Sequence, residues 1–210
     1  YKEMDGLLSY KEGGSFLGDL QGDWESQVTQ GIGNSYGVEA LVQKKAGRTA
    51  GWIGYTLSWS NRQFDDLNSG AWFPFTYDRR HDVSVVVTQE LSDIWSASMA
   101  WVYGTGRAVT LTESVFNGLP YDGDPEATEW EVPSRRNAYR MSPYHRLDIS
   151  FTRTKPESNG NRALIFSAYN AYNNLNPFFA LAENQADGSK RIYEYGLFPI
   201  IPSIAWRFHF

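Results

Sequence analysis

Apolar and polar residues alternate with a period of two along almost the whole chain, a pattern that predicts β-strands rather than helices. The final segment shows it most plainly. From Pro202 onward the even positions are Pro202, Ile204, Trp206, Phe208 and Phe210, and the odd ones are Ser203, Ala205, Arg207 and His209. The same split recurs upstream. In 35–44, Tyr36, Val38, Ala40 and Val42 alternate with Ser35, Gly37, Glu39 and Gln43; in 49–61, Ile53, Tyr55, Leu57 and Trp59 alternate with Gly54, Thr56, Ser58 and Ser60. Segments 80–91 (Val83, Val85, Val87 against Asp82, Ser84, Thr88, Glu90) and 95–106 (Trp95, Ala97, Met99, Trp101, Tyr103 against Ser96, Ser98, Ala100, Gly104) follow suit. So does 145–154, where Leu147, Ile149 and Phe151 alternate with Arg146, Asp148, Ser150 and Thr152. Leu41, Val86 and Val102 break the phase, residues 2–10 fit less cleanly, and 162–173 carries apolar side chains on both faces.

The pattern predicts about eight strands of roughly 9–12 residues, longer than the usual 5–6 of soluble sheets and matched to the 9–11 that a tilted strand needs to cross a bilayer. Short turns fall near Ala46-Gly47-Arg48, Ser92-Asp93 and 156–160. Long connections fall near 11–26, 62–78, 107–143 and 174–198. Short on one side and long on the other is the layout of outer-membrane barrels. No longer repeat and no interdomain linker interrupts the pattern, so residues 1–210 read as one unit.

Alternation alone fits two architectures. In a soluble sandwich the apolar face is the core; in a membrane barrel it meets lipid and the polar face lines the lumen. Three features favour the barrel. Aromatics gather at strand ends (Trp59, Trp95, Tyr103, Tyr144, Phe210), the polar face mixes Gly, Ser and Thr with charges, and a strand runs to the terminal aromatic. Composition narrows the reading further. The net charge of −5 argues against a nucleic-acid partner, and the absence of cysteine removes thiolate metal sites, disulfides and cysteine nucleophiles. No apolar run is long enough for a transmembrane helix. The chain opens on Tyr1 in what already patterns as a strand, so a processed or partial chain is expected.

Candidate chemistry is thin. His81, His145 and His209 are too far apart for a short metal motif, and a rim or lining role is the default for each. Asp122, Asp124 and Glu126, with Glu129 and Glu131, make the longest connection acidic, but their spacing matches no calcium loop and nothing fixes a glycosidase pair. Trp72, Phe73 and Phe75 place three aromatics in a connection expected to face solvent, as candidates for stacking on a ligand or packing on neighbouring loops. Gly33-Asn34-Ser35-Tyr36-Gly37 matches the string of a nucleophile elbow, yet it runs into a strand rather than a helix. No catalytic residue, metal site or cofactor is expected, and the chain does not read as an enzyme.

Several segments together resemble the C-terminal part of a TonB-dependent outer-membrane receptor of the kind found in Bacteroidetes. Ser35-Tyr36-Gly37-Val38-Glu39 resembles a strand opening of that family, and Trp52 to Asn61 with Arg62-Gln63-Phe64 resembles the next strand rising into an external loop. Tyr77-Asp78-Arg79-Arg80-His81-Asp82 is similar to the stretch leading back down. Tyr169 through Pro177 resembles the penultimate strand with its Asn-Pro exit, and 198–210 the closing strand. The ending is closer to ordinary receptors of this type than to glycan importers.

The resemblance implies an all-β, antiparallel transmembrane segment forming about the last third of a 22-stranded, plugged barrel. It implies active import of a scarce ligand: a siderophore, haem, cobalamin, peptide or oligosaccharide. Expected partners are the plug and earlier strands of the same receptor, TonB through an N-terminal region, outer-membrane lipid, and in some members a surface lipoprotein. Glu39, Asp82, Glu90, Arg146, Asp148 and Arg207 would face the lumen and plug, and Trp206, Phe208 and Phe210 would form the barrel-assembly signal. Trp72, Phe73, Phe75, Asp122 and Asp124 would be the loop candidates for ligand contact. The competing expectation is a self-contained eight-stranded outer-membrane barrel with a structural or small-pore role.

Overall fold

The computed structural model describes residues 1–12, 24–117, 129–133, 135–157, 160–185 and 189–209. Its strands are β1 (Lys2–Tyr10), β2 (Val28–Lys44), β3 (Thr49–Phe64), β4 (Phe73–Pro74), β5 (His81–Glu90), β6 (Trp95–Gly104), β7 (Ala108–Val109), β8 (Thr112–Asn117), β9 (Glu129–Pro133), β10 (Tyr139–Arg140), β11 (Tyr144–Glu157), β12 (Gly160–Tyr169), β13 (Pro177–Asn184), β14 (Lys190–Gly196) and β15 (Ile201–His209). Every pairing among them is antiparallel. The long strands form one meander in the order β1-β2-β3-β5-β6-β11-β12-β15, with β4 beside β3. Among the described residues no pairing joins β1 to β15, so this sheet is open with two unpaired edges.

Tight turns close one end. Gly47 takes φ of 94° between β2 and β3, a left-handed conformation that a Cβ would strain. Arg48 donates to the carbonyl oxygens of Glu90 and Leu91, and the Ser92 hydroxyl accepts the Trp95 N–H, which locks this turn end across β3, β5 and β6. The opposite end carries the long connections, 11–27, 65–80, 105–143 and 170–200. Two of them hold hairpins of their own, β8–β9 and β13–β14, while β7 pairs with β10. The alternation predicted the eight long strands, but not these hairpins, and β2 starts at Val28 rather than near residue 35. β12 ends at Tyr169, where Asn170 turns the backbone to φ of 53°.

Register sorts the side chains, because directly paired residues in an antiparallel ladder share a face. Val42, Ile53, Val85, Trp101 and Leu147 lie in one row, and Ala97, Phe151, Phe166 and Ile204 in another. The apolar half of each strand therefore joins its neighbours in one continuous face. That face is bare: Val42 is 71% exposed and Ile204 72%. The buried apolar residues, Phe64, Leu67, Phe73, Ala108 and Met141, all sit at the long-connection end and none lies on the apolar face of the long strands. A sandwich would bury such a face under a second layer; none covers it among the described residues.

The strands are also staggered in one direction. A single row of directly paired residues runs through Lys44, Gly51, Val87, Met99, Ile149, Ala168 and Pro202. It starts at the last residue of β2, beside the short turns, and finishes at the second residue of β15, beside the long connections. A progressive offset of this kind accompanies strand tilt in barrels.

Candidate functional site

On the polar face Glu39, Thr56, Asp82 and Gly104 share a row. Asp82 meets Arg79 at 3.5 Å, and the Arg79 guanidinium lies so close to Gly104 that a Cβ there would be 2.5 Å from it. Arg146 pairs with Asp148 at 2.9 Å and donates to the Tyr144 and Tyr169 hydroxyls at 2.8 and 2.9 Å. Asp148 also accepts the Asn170 N–H at 2.9 Å. Arg146 and Asp148 therefore knit β11 to the β12 exit and spend their bonding capacity there. Glu39, Glu90 and Arg207 are exposed on the same face and have no ion pair among the described residues.

The three phase-breaking residues fall on two adjacent rows of the polar face. Val86 is directly opposite Trp52 and Leu41 lies beside it across Gly54, while Val102 is one strand further on, opposite Ser84. Beside them runs a shallow groove lined by Glu39, Leu41, Trp52, Thr56, Asp82 and Ser84. Sequence reading noted the breaks one by one; only the register shows that Leu41 and Val86 flank Trp52 in a patch.

Asp78 organises the loop end. Its carboxylate is 1% exposed, pairs with Arg140 at 2.6 Å and with Arg80 at 3.6 Å, and accepts the Ser60 N–H at 2.7 Å. Arg140 also donates to the carbonyl oxygens of Asp78 and Gly106, and Arg80 lies 4.4 Å from the Trp59 ring centroid. A second knot is built from asparagines. Buried Asn170 donates to the carbonyls of Asn174 and Phe198 and accepts from the Asn174 N–H; Asn176 accepts from the His145 N–H, and Asn173 from the Ile200 N–H. Asn170 and Asn173 both hold left-handed φ values, which asparagine tolerates better than most residues. Sequence reading saw the Asn-rich exit of β12 but not that it ties β11 and β15 together.

Of the loop aromatics, Phe73 takes the packing alternative. It is 5% exposed, packs with Phe64 and Leu67, and has no surface to offer a ligand. Phe75 is half-buried under the Arg62 guanidinium at 3.9 Å with Tyr77 edge-on, while Trp72 remains exposed. Asp122, Asp124, Glu126 and Phe210 lie outside the described residues. The hairpin β13–β14 is held by Glu194, which accepts from the Tyr139 hydroxyl at 3.0 Å and the Ser142 N–H at 2.9 Å, and by Arg107 donating to the Phe178 carbonyl. Burial, and then the bond to Glu194 and its charge, raise the Tyr139 phenol above its ordinary value.

His81 and His145 sit on the long-connection rim of the apolar face, bonded to the Tyr55 and Tyr172 hydroxyls at 2.9 and 2.8 Å. With Tyr1, Tyr36, Trp59 and Tyr103 they make an aromatic belt, in which Tyr36 stacks on both Tyr1 and Trp59. At the short-turn end Trp206 and Phe208 stack at 4.9 Å. Ser35 lies inside β2 with its hydroxyl 2.8 Å from that of Ser60, so the elbow-like string is a stretch of strand. No cluster of His, Asp and Glu suited to a metal ion occurs among the described residues.

Compared with protein families, curated proteins and solved structures, the chain matches none.

Proposed function

We propose that this chain is a C-terminal strand set of a TonB-dependent outer-membrane importer, lying in the bilayer with its long connections outside the cell. The observation that carries the reading is the bare apolar face, continuous across eight staggered strands and bordered by aromatic residues at both ends. A lipid bilayer is the environment in which such a face is stable and in which backbone groups must be paired within the sheet. The stagger and the split between short turns and long connections support a barrel wall. The unpaired edges of β1 and β15 favour part of a larger wall over a self-contained eight-stranded barrel, since both would pair with further strands.

In this role the polar face lines the lumen. Exposed Glu39, Glu90 and Arg207 are the groups able to bond a plug, with the patch around Trp52 as apolar support, while Arg146 and Asp148 stiffen the wall. The loop cluster held by Asp78 and Asn170 forms part of the outer vestibule where ligand arrives, and energy for release comes through TonB to the plug.

Single-cysteine labelling tests the topology cleanly, because the chain has no cysteine. In the full receptor Tyr77→Cys, in a long connection, should react with a membrane-impermeant maleimide on intact cells. Asp93→Cys, in a short turn, should react only after the outer membrane is opened. Labelling of both, or of Asp93→Cys alone, on intact cells would overturn the orientation.

A further inference from the structure

One arginine on the polar face stands without a counter-ion. Arg62 lies near the end of β3, past the last residue of that strand that pairs with β5, in a row with Gly33 on β2 and Phe73 on β4. The flanking rows hold Ser35 and Ser60 on one side and Gly31 and Phe64 on the other, and Phe75 supports the guanidinium at 3.9 Å. None of these neighbours is charged. The Arg62 Nε is buried without a hydrogen-bond partner, and the guanidinium makes no ion pair among the described residues.

The carboxylates of this region do not supply the missing charge. Asp78 reaches the Ser60 N–H but is shared between Arg140 and Arg80. Glu12 accepts the Asn68 N–H at 3.4 Å. Asp65 and Asp66, just beyond the strand, are exposed and make no ion pair among the described residues. A second guanidinium adds to the excess. Arg136 lies 5.8 Å from the Phe73 ring centroid, donates to the Ser9 hydroxyl at 3.2 Å and has no carboxylate partner among the described residues.

A part-buried charge without a partner is unfavourable, and a ring against one of its faces offsets only part of that. Of the three Arg62 nitrogens only Nε is sealed off. Nη1 and Nη2 remain as a fork whose geometry matches two oxygens of a carboxylate or a phosphate. Tyr77, 66% exposed, meets the Phe75 ring edge-on at 5.3 Å and carries the aromatic surface out to solvent.

We infer that Arg62 anchors an oxyanion site at the long-connection end of the polar face, with Arg136 as its second cation, and that the site takes a ligand bearing a carboxylate or a phosphate. The oxyanion accepts from Nη1 and Nη2 of Arg62 beside the Phe75 ring, and Arg136 adds attraction from the Phe73 side. Taking that ligand as the cargo rests on the importer reading above.

The test uses the full-length protein in a non-ionic detergent, with citrate and inorganic phosphate as probes and triethyl citrate as the uncharged control. Thermal unfolding is followed with and without each probe for the wild type, Arg62→Lys, Arg62→Met and Arg136→Gln. Citrate or phosphate should raise the wild-type midpoint, as a ligand of the folded state alone does, and triethyl citrate should not. Titration calorimetry should show about a tenfold or greater loss of affinity in Arg62→Met, where hydrogen bonds from a charged group are removed. Arg62→Lys, which keeps the charge without the fork, and Arg136→Gln should lose less. The tighter of the two probes tells a carboxylate ligand from a phosphate one. Without probe, Arg62→Met should melt no lower than the wild type, because an apolar chain replaces an unpaired cation. A clearly lower midpoint would show that a carboxylate of the protein holds Arg62, and would overturn the site. So would equal affinity of the wild type and Arg62→Met, or binding of neither probe. None of these readouts needs a bilayer, so anion binding by a protein that does not float with lipid vesicles would overturn the importer reading and leave the site.

Discussion

Asp78 joins three segments through one carboxylate: β3 by way of the Ser60 N–H, its own connection through Arg80, and the 105–143 connection through Arg140. Asp78→Ala removes charged hydrogen bonds at a buried position and should lower local stability by roughly 2–3 kcal/mol. Faster amide exchange at Ser60 and across 75–80 would register it, and unchanged protection there would refute the role. Tyr139 makes a pH-dependent claim. Its phenol is raised, so the folded form keeps its proton to higher pH than the unfolded form. The stabilisation is complete below the ordinary tyrosine value near 10 and is lost as pH rises through the raised one. A tyrosinate absorbance titration should show a late-titrating group that disappears in Tyr139→Phe and titrates earlier in Glu194→Gln. At this scale the sequence was least informative. The asparagines of 170–176 and the carboxylate of Asp78 act through contacts distant in the chain, and no spacing rule marks them. Ligand stacking and loop packing stayed open for Phe73 because the residues that bury it, Phe64 and Leu67, are brought to it by the fold and not by its own strand's pattern.

At the level of elements, the period of two carried nearly all of the information. A one-residue slip would turn a whole strand over, so the alternation in β5, β6, β11 and β15, broken only at Val86 and Val102, fixes which face each strand presents, and the observed register keeps those faces together. The hairpin β13–β14 escaped notice because its two faces are not cleanly divided; Phe178 and Phe179, for instance, adjoin and are both exposed. The two faces of the long strands make opposite predictions. Val85→Arg, in the apolar row with Ile53 and Trp101, should cost about 2–4 kcal/mol when the protein sits in a bilayer. Ser150→Arg, on the polar face between Ser98 and Ser167, should cost little. Urea unfolding from vesicles would compare them, and equal penalties would contradict the assignment of faces.

For the whole molecule, the decisive feature is what the sheet leaves unsatisfied among the described residues: one apolar face without a covering layer, and two edges without partners. The alternation announced the face but could not say whether protein or lipid covers it; the structure narrows that choice by placing the buried apolar residues under the long connections instead. It could not announce the edges at all, because the pattern within a strand does not say what its outer edge pairs with. An isolated eight-stranded piece with such edges should associate into multimers through them, and sedimentation of the refolded 1–210 chain in detergent would show whether it does. Monodisperse monomers would point instead to closure on itself. The central claim, that these strands complete the wall of a larger importer, is tested most directly by the intact mass of the denatured polypeptide extracted from its native membrane. The account predicts a species several times the 23.9 kDa of this chain. A 23.9 kDa polypeptide with no second piece beside it would contradict that claim and leave the small barrel.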